Sequence, residues 1–342
     1  MRQQSKISFF YTRMTLVAIL LVLAGSNAAA EDIWKKEREK ALSLVTPASL
    51  MEDVTFLSDS TCQGRATGTE GAAKAAQWIA DEFQKAGLEK MTDSWEATFP
   101  VSYKVQGSNV IGMLAGSKSI PCERYIIVGA HYDHLGIING KIYPGADSNA
   151  SGVAALTSLA QMTGAMRKMG RIFGSNIIFV AFDALELGLK GSEALWNMIE
   201  YGRLKDPVTG IQITPDKVDL MVNIDQIGSS LAPISKGKDN YVIMLGTSSL
   251  EKSRRSILNT CNKESGTDLE IGLDYYGSAN FTKVFYRLSD QRYFVDNKIP
   301  SVLFTSGITM NNNKVWDTPE TLNPEVFHKR VILMYHWLEK ML

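Results

Sequence analysis

Cysteine is scarce in this sequence. Only Cys62, Cys122 and Cys261 occur in 342 residues. None is spaced as Cys-x-x-Cys, which argues against a zinc-ribbon site. One disulfide plus a free thiol fits this count, and so do three unpaired buried thiols. An excess of positive charge is also missing. Thirty-six basic residues face 36 acidic ones, and nucleic-acid partners, which call for basic patches, are not expected. No internal repeat, no low-complexity linker and no apolar run of about 20 residues is present, so a membrane span is not expected either.

The first 30 residues read as an export signal. Arg2, Lys6 and Arg13 precede an apolar run from Leu16 to Ala24, and Ala28-Ala29-Ala30 supplies a small-residue cleavage site. No Cys follows the apolar core, which argues against a lipid anchor. The expected organisation is a signal peptide over 1–30 and a single domain over 31–342, in a secreted or periplasmic protein. Residues 1–30 carry three basic and no acidic side chains, leaving 33 against 36 and a net charge of −3. A hydrophobic content of 45% is ample for a core.

Strand and helix signals alternate along the chain. The pattern predicts an α/β fold with a mixed, mostly parallel central sheet and helices on both faces. Ala75, Ile79 and Phe83 recur at helical spacing within 71–85, before Gly87. Further helices are expected over 151–162, from near Gly191, and over 324–341. Apolar runs at 125–130, 176–182, 218–224, 241–245 and 302–305 read as buried strands. His131, Asp183, Glu186 and Asp225 then fall just past the carboxyl ends of such strands. Open α/β sheets place their ligand sites there.

Five ordered motifs carry a family resemblance. They are Gly64-Arg65-Ala66-Thr67-Gly68-Thr69, Gly129-Ala130-His131-Tyr132-Asp133-His134, Pro144 to Gly152, Ala181 to Ser192, and Val222 to Gly228; Ser289-Asp290 and Asp317-Thr318-Pro319 follow. With these the chain resembles the co-catalytic zinc aminopeptidases, a family that includes secreted bacterial leucine aminopeptidases and shares its fold with glutaminyl cyclases. The resemblance implies two zinc ions that activate a shared water. Their ligands are two His, a bridging Asp, a Glu and a second Asp, and a separate Glu acts as base.

Mapped onto this sequence, the set is incomplete. His131 takes the place of the first His ligand, with Asp133 orienting it. Glu186 and Asp225 match two carboxylate ligands. Ser148 stands where the bridging Asp belongs, Leu185 where the base belongs, and Asn313 where the last His belongs. Gln291 replaces a common His. A neutral hydroxyl does not bridge two zinc ions as a carboxylate does, and Leu accepts no proton. Weak zinc binding at best is expected.

Three functions follow from this mapping. The first is a catalytically impaired or non-catalytic protein that binds a peptide or small peptide-like ligand in its cleft. The second is an active aminopeptidase with a rearranged site, in which Asp147 serves as a ligand and His134 or Asp183 replaces lost groups. The third is a glutaminyl cyclase, whose single zinc would fall to Ser148, Glu186 and Asn313. Simpler roles stand beside these. His131 is then a hydrogen-bonded core residue, Glu186 and Asp225 pair with Lys or Arg or hydrogen-bond to backbone, Ser148 or Asn149 caps a helix, Leu185 fills a hole, and His328 and His336 are structural.

Overall fold

A computed structural model describes residues 34–117, 119–120 and 122–342. The expected signal peptide lies outside the described residues. Residues 34–42 form a helix within an N-terminal unit, Met1–Ser43. The main unit, Leu44–Leu342, carries every site residue considered below.

The main unit is built on a nine-stranded sheet. Its strands are β1 (Glu89–Lys90), β2 (Glu96–Pro100), β3 (Gln106–Leu114), β4 (Tyr125–His131), β7 (Asn176–Phe182), β8 (Val218–Ile224), β9 (Tyr241–Leu245), β10 (Glu270–Gly272) and β11 (Ser301–Thr305). The order is β1-β3-β7-β4-β8-β11-β9-β10, with β2 also on β3. β7, β4, β8 and β11 run parallel, as do β9 and β10. Antiparallel pairs join β3 to β7 and β9 to β11. The mixed, mostly parallel sheet expected from the apolar runs is therefore present. β5 (Gly136–Ile138) and β6 (Lys141–Tyr143) form a separate small hairpin.

Every residue of β4 and β7 is buried. Strands covered on both faces read as unbroken apolar runs, not as alternation. The helices of the main unit include α1 (Pro47–Ser58), α2 (Glu70–Ala86), α3 (Ser151–Lys168), α4 (Lys190–Glu200), α5 (Lys252–Glu264), α6 (Ala279–Phe285), α7 (Arg292–Asp296) and α8 (Pro324–Met341). Thr46 starts α1 with a reciprocal Thr–Ser49 capping box. Thr69 caps α2, and Gly87 ends it in the left-handed conformation at φ 87°.

α3 runs six residues past the expected end at Met162. Gly164 lies in this extension, where an added Cβ would stand 2.1 Å from Ala86 O. This glycine serves close packing of α3 against the end of α2 rather than helix termination. Among the described residues the three cysteines are all free thiols. His328 Nε2 lies 3.0 Å from Val45 O, a structural contact.

Asp53 on α1 is partly buried. Burial first, then the charges of Glu82 and Glu52, push its carboxyl up to about 7 against the opposing effect of Lys85. The native chain thus keeps a proton that the unfolded chain releases above its ordinary carboxylate range. Stability contributed here is lost as pH rises from about 4 to about 7. Replacing Asp53→Asn removes that slope. Urea titrations should show the variant more stable than the parent at pH 7.5, with the difference vanishing near pH 4.

Candidate functional site

Three parallel neighbours, β7, β4 and β8, bring their carboxyl ends to one edge, and the candidate residues sit at or just past those ends. One amide ties this edge together. Asn149 is fully buried and follows Ser148 through a cis peptide bond. Its Nδ2 donates to Ile224 O at 2.9 Å and His131 O at 3.3 Å. Its Oδ1 accepts from Gly152 N at 3.1 Å and Gln226 N at 2.9 Å. β4, β8 and the start of α3 are thereby fixed to one another. Gly152 is required by the same contact, since a Cβ there would fall 2.2 Å from Asn149 Oδ1.

Two charged residues set the surrounding loops. The Arg65 guanidinium, buried, donates to Tyr132 O at 2.7 Å, Pro144 O and Gly145 O at 2.8 Å, and Leu57 O. Burial lowers its pKa to about 10. Asp317 accepts from Asp147 N at 2.8 Å and Ser148 N at 3.0 Å, which aligns the 146–150 turn with the Asp-Thr-Pro segment.

A cavity of about 440 Å³ opens at this edge. His131, Ser148, Leu185, Glu186, Asp225 and Asn313, six positions picked out in the sequence, all line it. Asp133 lies behind them, fully buried. Its carboxylate accepts from Leu185 N and Glu186 N, both at 3.0 Å. It touches His131 more weakly, with Oδ1 3.5 Å from Nδ1, while its carbonyl accepts from Nδ1 at 3.1 Å. Orienting His131 is thus shared between backbone and side chain.

His131 Nε2 faces Asp225 Oδ1 at 3.4 Å, and Ser289 Oγ donates to Asp225 Oδ2 at 2.7 Å. Burial opposes charge on His131, but hydrogen bonds and charges of Asp133 and Asp225 outweigh it and hold the ring well above its ordinary pKa. Burial likewise opposes the Asp225 anion, which His131 and Ser289 nonetheless hold below the usual carboxylate range. Glu186 Oε1 lies 3.4 Å from His134 Nδ1. The basic partners of both acids are therefore histidines, not the Lys or Arg considered from sequence.

Other expectations change. Asp147 lines no part of this cavity; its Oδ1 accepts from Gly228 N at 2.9 Å, Ser229 N at 3.2 Å and Ser151 Oγ at 3.1 Å. Burial first, then Asp317, push its carboxyl up to about 7. Asp183 also stays off the cavity, engaged by Thr67 Oγ1, Ser108 N and Ala184 N. Neither carboxylate is free to enter a rearranged site without breaking these bonds. Leu185 is half-buried at the cavity wall, not sealed in a hole. Asn149 does bond the first turn of α3, whereas Ser148 makes no capping bond. Gln291 is buried and accepts from Asn223 Nδ2 at 2.8 Å. Trp316, close in sequence to Asn313, is 63% exposed and is not a lining residue.

Among the described residues no group of three or more His, Cys, Asp or Glu is arranged to hold a metal ion. His131 and Asp225 are joined by a direct contact, and around them Glu186, Ser148, Leu185 and Asn313 offer a carboxylate, a hydroxyl, an alkyl group and an amide. A further wall was not singled out in the sequence. Tyr275, Phe285, Arg287, Leu288 and Arg292 line the same cavity. They come from loops and short helices in which no periodicity can be read.

Asn149→Ala should be costly, since it leaves four backbone groups without their partner in a buried place. A loss of about 3–5 kcal/mol in chemical denaturation is expected, against less than about 1 kcal/mol for Asn313→Ala at the cavity rim.

Comparison with known proteins agrees with this architecture. The model of peptidase family M28 matches residues 109–330. A protein of Pyricularia oryzae named probable zinc metalloprotease is 30% identical over 170 residues, covering 45% of this chain and 32% of its own. The BOS complex subunit ncln of Danio rerio is 26% identical over 249 residues, covering 68% and 41%. The chain thus spans about a third to two fifths of the length of these curated relatives. Among solved structures, the LapA aminopeptidase of Legionella pneumophila superposes with a TM-score of 0.66 at 17% identity, covering 90% of this chain and 75% of its own. The zinc aminopeptidase BSAP of Bacillus subtilis gives 0.64 at 14%, covering 86% and 95%. Glutaminyl cyclase of Porphyromonas gingivalis gives 0.64 at 15%, covering 87% and 99%. At these identities the superpositions speak for the fold. The family match spans well over half of the chain, and the chain belongs to peptidase family M28.

Proposed function

We propose that this chain is an exported, non-hydrolytic member of its family that binds the amino end of a peptide or small peptide-like ligand in the cleft. One observation carries the reading: Leu185, which the family resemblance maps to the position of the base, lines the cavity itself. Leu offers no acceptor for a water proton. Ser148 and Asn313, on the same wall, supply a neutral hydroxyl and amide where the family's chemistry needs a bridging carboxylate and an imidazole. Zinc is the metal expected for the family, and this donor set is suited to bind it weakly at best.

Binding needs less than catalysis. Glu186 and Asp225 present carboxylates to the cavity, which favour an ammonium group. Leu185, Phe285, Leu303 and Ile308 give an apolar wall for a first side chain. The volume of about 440 Å³ falls in the range of small-ligand pockets. The charged, apolar and small-residue order of residues 1–30 supports export. Among the described residues no helix is long and apolar enough to cross a membrane.

A rearranged zinc peptidase is the second reading, and one observation favours it. His134 is 2% exposed and, among the described residues, neither ring nitrogen makes a hydrogen bond, although Nδ1 is 3.4 Å from Glu186 Oε1. Elemental analysis after dialysis against micromolar zinc separates the two. Our reading expects well under one zinc per chain and no chelator-sensitive release from leucine p-nitroanilide. The triple variant S148D/L185E/N313H should raise the content toward about two. A parent ratio near two, lost in His134→Ala, would establish the peptidase instead.

A further inference from the structure

Two arginines line the cavity that also holds Glu186 and Asp225: Arg287 and Arg292. Their side chains are 46% and 49% exposed. Both contact one acid, Asp296. Arg287 Nη2 pairs with Asp296 Oδ1, and Arg292 Nε lies 3.7 Å from Asp296 Oδ2. One carboxylate between two guanidiniums leaves a net positive charge. Each guanidinium carries five N–H donors, and the Asp296 contacts occupy few of them. Asp296 therefore positions the pair without saturating it.

We propose that Arg287 and Arg292 form a carboxylate subsite in the cleft, so that the ligand is a short peptide carrying a free amine and a carboxylate. The proposal rests on the cleft being a peptide site, as argued above. A planar guanidinium fork matches carboxylate geometry. The acids and the arginines of one cavity give a dipolar ligand a counter-charge at each end, whereas an amine without a carboxylate meets uncompensated arginine charge. The same cavity has an apolar surface: Tyr275 and Phe285 stack with centroids 4.6 Å apart and an interplanar angle of 12°. It suits an apolar side chain between the two charged ends. The carboxylate has two sources, an acidic side chain or the C-terminus of a dipeptide.

Calorimetric titration of the full chain with three probes tests this. Leu-Gln amide has no carboxylate, Leu-Glu amide has one on its side chain, and Leu-Gln has one at its terminus. At least one carboxylate probe should bind about fivefold tighter than Leu-Gln amide, a modest factor because both arginines are half exposed. Which probe gains identifies the source. The double variant R287Q/R292Q should abolish the preference, weakening the carboxylate probes and, by removing the arginine charge, binding Leu-Gln amide no more weakly than the parent does. Equal binding of all three probes would overturn the subsite and leave the peptide cleft standing. Binding by none would overturn the cleft reading and the subsite together. A preference that survives R287Q/R292Q would assign the carboxylate to other groups and also overturn the proposal.

Discussion

The four hydrogen bonds of the Asn149 side chain are the constraint on which the site edge depends. Parallel strands leave their carboxyl ends with backbone groups that no neighbour satisfies, and a buried group without a partner is expensive. One primary amide offers two donors and two acceptor positions. Here it spends them on the ends of β4 and β8 and on the entry to α3. His131 and Asp225, flanking those bonded carbonyls, are brought within 3.4 Å as a consequence. Arg65 does the same for the outer loops with carbonyl acceptors from three separate segments.

Much of this was legible in the sequence, and the reasons are physical. Strands buried on both faces appear as apolar runs, and the runs at 125–130, 176–182, 218–224 and 241–245 all became central strands. The edge strands β1, β2 and β10 were not legible, because they are short and half polar. Their pairing is decided by β3 and β9, not by their own pattern. α3 continues past the expected end at Met162 through Gly164, a glycine that permits close contact with the end of α2.

The site divides in the same way. The family resemblance rests on compact motifs, and the positions it pointed to, His131, Ser148, Leu185, Glu186, Asp225 and Asn313, do share one cavity. Residues that act through backbone hydrogen bonds carry no period and no distinctive neighbours. Arg65 was therefore seen only as a letter within a motif, and Asn149 only as a candidate helix cap. The arginine and aromatic wall over 275–292 was missed for another reason. It is assembled from the loop before α6, α6 itself, the segment after it and the start of α7, and only the fold makes these a surface.

The grip of Asp133 on Leu185 N and Glu186 N has a consequence for how such a protein changes over time. The carboxylate holds main-chain amides, so the path of the loop is the same whichever side chains stand at 185 and 186. Mutations there are screened by what the cleft has to do and hardly at all by folding. A lineage can drift through such positions with its architecture intact, exchanging one chemistry for another, or for none, while the scaffold stays recognisable.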